Sequence, residues 1–252
     1  MAQINKQSIT AGPRPVQEPR PAPEGSPSGV FPKELEKRRA YLDVLRIHHL
    51  DLTNRFLVAG EGQVYEIDVV MAAAMARSYG LVDGFIAAFD SWNPVVAAPL
   101  LRMQVDSLIR LAYMAHAPRA DAVAHHIFAG REFRTLKDDE GKTLTDCRLR
   151  KHAEDVHPWI GSVYQETSGW VHLSPAHLRA AWRLGPAKAG DGQGLVLSGS
   201  VPIRPEQIPL SELEQLLGAM IQATEQVFGY VEIWERRKGL PLGEIRGGES
   251  SP

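Results

Sequence analysis

The order of apolar and polar residues between positions 33 and 240 is typical of a helical protein. Apolar residues recur there every three or four positions, and short stretches rich in glycine or proline interrupt the recurrence. Such spacing places apolar side chains on one face of a helix, which buries that face against its neighbours. The pattern predicts helices over residues 33–59, 66–92, 95–116, 120–136, 146–155, 158–170 and 211–238. We therefore expect a mainly α protein that forms a single helical bundle, the domain of residues 33–240.

One segment departs from this pattern. Residues 178–184 and 195–201 alternate apolar and other side chains around a loop at 185–194. A period of two is typical of a strand, so we expect a small β-hairpin at about 178–201, inserted before the last long helix. In that helix Ser211 and Glu214 have the spacing of a capping box. Its apolar stripe is either part of the core or an exposed seam of a homodimer.

The two ends of the chain differ in composition from the rest. Seven of the 18 prolines lie between residues 11 and 32. Proline cannot donate a helical hydrogen bond, and the segment has few residues that could enter a core. We expect residues 1–32 to be a disordered proline-rich tail, with a ligand segment for a partner as the alternative. Residues 241–252 are polar and glycine-rich and are expected to be a second flexible tail.

The overall composition limits the function only broadly. The 28 basic and 30 acidic residues give a net charge of -2, so any site for an anion must be built locally. The single cysteine excludes an intramolecular disulfide and a thiolate-rich zinc site. No apolar stretch approaches the ~20 residues of a membrane span. We expect a cytoplasmic protein that does not enter a membrane.

Motifs for metals and cofactors are not found in the sequence. The histidines do not have the HExxH spacing of a metal site, and no glycine-rich phosphate loop follows a strand. We therefore expect neither a metal nor a cofactor.

Three charged residues share one face of the third predicted helix. Arg102, Asp106 and Arg110 are spaced four residues apart, on the shoulder of its buried face. Asp106 lies one turn from each arginine, so the group keeps one positive charge for an anion such as a phosphate or a carboxylate. The alternative is a structural ladder, because exposed pairs of this kind are common and contribute only about 0.3–0.5 kcal/mol each.

A second polar stripe lies at the end of the helix predicted over 158–170. Tyr164, Ser168 and His172 are again four residues apart, and Ser174 and His177 follow a break in the helix. An imidazole titrates near neutral pH and suits general acid–base work. Structural roles are the alternative, with Tyr164 in the core, Ser168 as a small packing residue and His172 bonded to a buried carbonyl. If the two stripes converge, they form one shielded cationic site beside a titratable ring.

Four segments together resemble a family of uncharacterised bacterial helical proteins. They are the stripe at 102–110, the turn at 141–146, the segment 164–177 and the end of the last helix at 234–238, and the resemblance covers roughly residues 66–238. That family is distantly similar to the HEPN group of helical domains, whose active members resemble metal-independent ribonucleases of toxin or phage-defence systems. The arginine-to-histidine spacing of that group is met by these pairs: Arg110 with His116, Arg119 with His125 or His126, and Arg150 with His157.

The resemblance implies an endoribonuclease. His172 would remove the proton from a ribose 2′-hydroxyl while Arg102 and Arg110 stabilise charge on the phosphorane oxygens. Asp106 would hold the guanidinium groups, and Tyr164 would contribute a hydrogen bond. The further candidates for binding are Ser168, Ser174, His177, Lys142 and Asp146. The competing interpretation is a non-catalytic helical module that binds a small anionic ligand or a protein partner through the same residues.

Overall fold

The computed structural model describes residues 31–172, 174–186, 195–199 and 207–238. Within these ranges the protein is mainly α, as predicted. The helices are α1 (Lys33–Val58), α2 (Glu66–Asp90), α3 (Pro94–His116), α4 (Ala120–Phe128), α5 (Asp146–Val156), α6 (Ile160–Val171), α7 (Pro175–Ala181) and α8 (Leu210–Lys238). Single 3₁₀ turns lie at Gly60–Gly62 and Phe133–Thr135. Two short strands, β1 (Trp182–Pro186) and β2 (Leu195–Gly199), pair in an antiparallel manner.

Helix α3 lies at the centre of the bundle, where it packs against α2, α4, α5, α6 and α8. The apolar positions predicted for it, among them Val105 and Leu108, are buried. The predicted stripe of α1 is buried as well, from Leu35 to Phe56. The stripe of α8 also faces the core, because Leu217 is fully buried and the other apolar members of the stripe lie in the same cluster. This stripe is therefore core, and a homodimer stays a prediction that would need another surface.

Two predicted helix bounds were wrong because local geometry stops or starts the helix elsewhere. The fourth helix ends at Phe128 instead of extending to residue 136, since Gly130 adopts a φ of 76° that a helix cannot contain. The last helix begins at Leu210, and the N–H of Glu212 bonds to the carbonyl of Pro209 at 3.0 Å. Ser211 therefore lies inside the first turn, and the predicted capping box is not present.

The segment predicted as a β-hairpin begins as a helix. Leu178 lies within α7, whose first turn holds Pro175 and is capped by Ser174, so the extended structure expected at 178–181 is wrong. Strands β1 and β2 pair, but the connection at 187–194 lies outside the described residues, as do 200–206. The predicted hairpin at 178–201 is therefore not confirmed. The tails expected at 1–32 and 241–252 also lie outside the described residues, except for positions 31 and 32.

A fully buried ion pair fastens the end of α8 to the start of α2. The Lys238 Nζ lies 3.0 Å from Asp68 Oδ2, and neither side chain has any exposed surface. The same Nζ donates to the carbonyl of Phe56 at 3.0 Å, and the indole of Trp234 donates to Asp68 Oδ1 at 2.7 Å. The pair thereby joins three helices at one end of the bundle.

A second buried polar group crosses the middle of the bundle. His49 Nε2 lies 2.8 Å from Ser78 Oγ, and the Gln104 amide donates to Ser78 at 2.6 Å and to Thr224 at 3.2 Å. Each of these four residues comes from a different helix. Burial lowers the pKa of His49 to about 4, so the ring is neutral at physiological pH.

Helix α2 is the one described helix that is long and apolar enough to cross a membrane by length and composition. Of its most apolar window, 39% is buried inside the bundle. A core helix of a water-soluble protein meets the same criterion, so this finding leaves the question of membrane association as a prediction.

Candidate functional site

The charged stripe of α3 forms a connected group of side chains. Asp106 accepts a close hydrogen bond from Arg110, and its Oδ1 lies 3.8 Å from the Nη1 of Arg102. A third arginine approaches from α2, with Arg77 Nη2 3.9 Å from Asp106 Oδ2. Arg77 also donates to Ser107 at 3.0 Å. One carboxylate thus faces three guanidinium groups.

Helix α6 brings Tyr164 onto this stripe. The Arg102 guanidinium carbon lies 3.2 Å from the centroid of the Tyr164 ring, which is a close cation–π contact. A fourth arginine, Arg150 of α5, lies 5.2 Å from the same centroid. The two helices therefore converge at this point, as the two-stripe prediction required for Tyr164.

The two candidates from the turn predicted at 141–146, Lys142 and Asp146, separate in the structure, where Asp146 is the first residue of α5. Asp146 Oδ1 accepts from Arg110 Nη2 at 2.8 Å, so Asp146 belongs to the same group. Lys142 pairs instead with Glu140 at 2.8 Å, and Glu140 also accepts from Arg148 at 2.8 Å. We call Arg77, Arg102, Arg110, Arg150, Tyr164, Asp106 and Asp146 the arginine–tyrosine cluster.

The rest of the second stripe lies further along α6. Ser168 donates to the carbonyl of Tyr164 at 2.5 Å, and Ser174 caps α7 and donates to the carbonyl of Gly169. His177 contacts the Trp170 ring with the centroids 5.3 Å apart. These three side chains serve helix ends and local packing.

His172 follows α6 directly and is exposed. Eight residues separate it from Tyr164, a distance of about 12 Å along the helix axis. Among the described contacts, none joins His172 to Arg102 or Arg110. The structure brings together the arginines, both aspartates and Tyr164, and it leaves the imidazole two turns away.

The donors of the cluster are only partly used. The Arg102 side chain is 15% exposed, and its only described polar contact is the ion pair with Asp106 at 3.8 Å. A guanidinium has five N–H donors, and burial without partners disfavours its charge. Burial accordingly lowers the pKa of Arg102, while nearby acidic groups oppose the effect. An anion placed here would relieve this cost.

Arg150 shows the same deficit. Its Nε lies 3.3 Å from Glu154 Oε1, but the Nε is buried and makes no hydrogen bond of acceptable geometry within the described part of the chain. The ion-pair distance and the missing hydrogen bond are compatible, because a charge contact does not require alignment of the N–H. Arg102 and Arg150 thus flank Tyr164 with unused donors.

Two histidines outside the two polar stripes, His116 and His157, both contact Tyr230 of α8. His157 Nε2 lies 2.7 Å from the hydroxyl of Tyr230, and the His116 ring lies 5.8 Å from the Tyr230 ring. Burial, followed by the charge of His116, lowers the pKa of His157. In the sequence, these histidines could be found only by their spacing from Arg110 and Arg150. That spacing predicts two arginine–histidine pairs, but it does not predict that both histidines contact Tyr230.

In the residues with described positions, no group of three or more His, Cys, Asp or Glu side chains is placed to hold a metal ion. Comparisons of the chain with protein-family models, with curated proteins and with solved structures found no match. The resemblance to HEPN-like proteins therefore stays a prediction, and the functional argument depends on the geometry of the cluster.

Proposed function

We propose that the protein binds an extended phosphate-bearing ligand, the backbone of single-stranded RNA, at the arginine–tyrosine cluster. The observation that carries this proposal is the half-buried Arg102, whose guanidinium has one described polar contact at 3.8 Å. Guanidinium groups match phosphate oxygens in geometry, and partial burial strengthens the interaction. A ligand phosphate would supply the acceptors that the protein does not.

The charge of the site supports an anion. Four arginines of the cluster face Asp106 and Asp146 within it and Glu154 beside it, which leaves one positive charge on a chain whose net charge is -2. The attraction is therefore local and short-ranged at physiological salt. This favours a ligand that touches the cluster directly.

The arginines of the cluster come from three helices, α2, α3 and α5, which favours a ligand with several phosphates over a single small anion. Arg102 and Arg110 both converge on Asp106, so one phosphate could contact this pair. Further phosphates of an RNA strand could contact Arg77 and Arg150 on the neighbouring helices.

The test is the binding of a labelled 12-nucleotide RNA, measured by fluorescence anisotropy in excess chelator. We expect Arg102→Gln and Arg150→Gln each to weaken binding by at least about tenfold, since a hydrogen bond to a charged group contributes about 1.5–3 kcal/mol. Each change should also reduce the salt dependence by roughly 0.7 in the slope of log K against log salt. Inorganic phosphate and ATP, tested as competitors, separate a small-anion site from an RNA site.

Arg237→Gln is the matched control, because it removes the same charge from an exposed position on α8. This variant should bind RNA as the unaltered chain does. Equal affinity for all variants would show that the cluster is not the site. Displacement of RNA by inorganic phosphate at low concentration would favour the small-anion alternative.

Cleavage of RNA is a second candidate function, and one observation favours it. Arg110 and Arg150 are in the cluster, and the histidines six and seven residues after them, His116 and His157, both contact Tyr230. An imidazole there could remove the proton from a 2′-hydroxyl while an arginine stabilises the phosphorane charge.

The base can be identified by substitution. Purified protein is incubated with RNA in excess chelator, alongside His116→Ala, His157→Ala and His172→Ala. Loss of cleavage in the first two would assign the base to the Tyr230 group, and loss only in His172→Ala would assign it to the end of α6. Equal cleavage by all variants would indicate a contaminating nuclease, and absence of cleavage would leave RNA binding as the function.

A further inference from the structure

Helix α1 carries apolar side chains on its outward side as well as on its buried side. Within the described part of the chain, Tyr41, Val44, Ile47 and Leu50 are between 43% and 62% exposed, while the opposite side of the helix packs against α2 and α8. One exposed apolar residue is ordinary, but four large ones on one helix form a patch of the kind found at protein–protein interfaces. We use the term outer face for the surface formed by Lys37, Ala40, Tyr41, Val44, Ile47, His48 and Asp51.

Opposite charges lie at equal distances from the centre of the outer face. Lys37 precedes Val44 by seven residues, and Asp51 follows it by seven. Seven residues are almost two full turns, so the three side chains lie along one line on the helix. If a second copy of α1 runs antiparallel on this line, with a two-fold axis at Val44, Lys37 of each copy faces Asp51 of the other. The outer face is therefore complementary to itself in charge.

Both charges are available to a second copy. The Lys37 and Asp51 side chains are 76% and 62% exposed. Their described ion pairs lie within α1: Lys37 with Glu34 at 3.5 Å, and Asp51 with Arg55 at 3.6 Å and with His48 at 3.9 Å. Exposed pairs along one helix contribute about 0.5 kcal/mol or less, so they do not hold the two charges away from a partner.

The residues beside the line match under the same symmetry. Ala40 and Ile47 lie on one flank of the line, and Tyr41 and His48 lie on the other. In an antiparallel pair each flank meets the same flank of the second copy, so Ala40 meets Ile47, and Tyr41 meets His48. A small residue against a large one and an aromatic pair both pack well between helices.

The surroundings of the outer face are compatible with this arrangement. The two-fold axis brings Lys33 towards Arg55 of the second copy, but Glu235 already balances Arg55 through contacts of 3.0 and 2.6 Å. On one flank, a groove of about 400 Å³ between α1 and α8 is lined by Tyr41, His48, Glu225 and Phe228, among others. This groove continues the outer face onto α8.

We propose that the protein forms a symmetric homodimer in which two α1 helices pack antiparallel through their outer faces, centred on Val44. Two Lys37–Asp51 ion pairs fix the direction and the register, and the apolar residues between them supply the hydrophobic contact. Stable interfaces bury about 800 Å² per partner, and the groove beside α8 enlarges the contact in that direction. No residue of α1 belongs to the arginine–tyrosine cluster, so the proposal does not depend on RNA binding.

The first test is the mass of the full chain in solution, measured by light scattering after size-exclusion chromatography. The unaltered chain should have twice the mass of one chain. Lys37→Asp and Asp51→Lys each oppose like charges at two places in the dimer, and each should raise its dissociation constant at least about tenfold. An equimolar mixture of the two variants should dimerise again, because every reversed charge then faces an opposite one.

Three results of this test would overturn the proposal. A monomeric unaltered chain would show that the outer face does not bind a second copy. Single variants that dimerise as the unaltered chain does would place the interface elsewhere. A mixture that stays monomeric would contradict the antiparallel register. Circular dichroism checks that the variants are folded, which we expect because both positions are exposed.

Crosslinking tests the position of the axis. The one cysteine of the chain, Cys147, is first replaced by serine. On that background a short bismaleimide should join Val44→Cys to its own copy, since only a residue at the axis meets itself. Val58→Cys is the matched control, because Val58 is exposed at the end of α1 and its two copies would be about 42 Å apart along the helices. Absence of crosslinking at Val44→Cys, or equal crosslinking at Val58→Cys, would overturn the proposal.

Discussion

Two charged centres of this protein differ in how fully their polar groups are used. In the Asp68–Lys238 pair every donor of the ammonium group has an acceptor: Asp68, the carbonyl of Phe56 and the carbonyl of Leu57 at 3.3 Å. Asp68 in turn accepts from Trp234 and from the N–H of Tyr65 at 2.8 Å. Arg102 in the arginine–tyrosine cluster has five donors and one described ion-pair contact.

The difference indicates different roles. A buried charge is tolerated when the protein satisfies all of its hydrogen bonds. Such a saturated centre has no donor or acceptor free to bind a ligand. A half-buried cation with unused donors is costly unless something else completes it. We therefore propose that the first centre serves the fold and the second serves binding, and the following predictions test that proposal.

The largest effect is expected at the saturated centre. Lys238→Met leaves the buried carboxylate of Asp68 without its cation, which should cost about 3–5 kcal/mol in the free energy of unfolding. Urea unfolding followed by circular dichroism measures the loss. The affinity for RNA of the folded fraction should not change.

A second substitution distinguishes charge from packing. Adding Asp68→Asn to Lys238→Met removes the uncompensated charge and keeps a side chain that can accept from Trp234. The double variant should be more stable than Lys238→Met alone. If it is less stable, the loss comes from packing and the ion pair is not the cause.

The next effect concerns the buried His49, which also lies in a saturated position between Ser78 and the carbonyl of Leu45 at 2.9 Å. Its pKa is lowered to about 4 in the folded chain, from an unfolded value of about 6.5. Only the unfolded chain binds the proton between these values, so stability is complete above pH 6.5 and falls as the pH drops towards 4. The loss is at most about 3.5 kcal/mol, because the two pKa values differ by about 2.5 units and each unit corresponds to about 1.4 kcal/mol.

Carboxylates titrate in part of the same window, so the measurement needs a reference. The free energy of unfolding is determined from pH 7 to pH 4 for the unaltered chain and for His49→Gln. The difference between the two curves should be constant above about pH 6.5 and should shrink below it. A difference that does not depend on pH would contradict a buried neutral imidazole.

A smaller effect on binding, with almost none on stability, is expected at the unsaturated centre. Arg102→Lys keeps the charge but loses the planar fork and the stacking on Tyr164. RNA affinity should fall about fivefold, or about 1 kcal/mol, while the salt slope stays the same. Anisotropy and urea unfolding of the same preparation measure both quantities. A loss of stability as large as that of Lys238→Met would show that Arg102 stabilises the fold and would contradict its assignment to binding.

The helix bounds could be predicted where a strong local signal stops the helix. Helix α3 was expected at 95–116 and runs from Pro94 to His116, because Asn93 caps its start and Ala117 precedes a proline. The stretch after Phe128 was wrongly extended as helix, since its apolar residues keep a helical spacing. There Phe133 packs against Tyr113, with the ring centroids 6.4 Å apart, and this long-range contact is not visible in local spacing.

The candidate site could be predicted only as far as spacing along one helix allows. Four-residue steps correctly grouped Arg102, Asp106 and Arg110, and the same rule joined His172 to Tyr164. That rule fixes the face of a helix but not the distance along it, so His172 lies two turns along α6 from Tyr164, the residue that contacts the arginines. Arg150 was not selected as a site residue, because it reaches Tyr164 from a different helix.

The smallest effect is expected at an exposed ion pair near Lys238, which joins α1 to α8. Arg55 of α1 contacts Glu235 of α8 through two hydrogen bonds of 3.0 and 2.6 Å, and the Arg55 side chain is 43% exposed. Solvent screens such a pair, so Glu235→Gln should cost only about 0.5 kcal/mol, and less at high salt. Urea unfolding at low and at high salt measures the cost. Glu235 lies three positions before Lys238, so a difference between the two losses of stability reflects the difference in burial and hydrogen bonding between the two ion pairs. A loss for Glu235→Gln equal to that for Lys238→Met would contradict the structural role assigned to the buried pair.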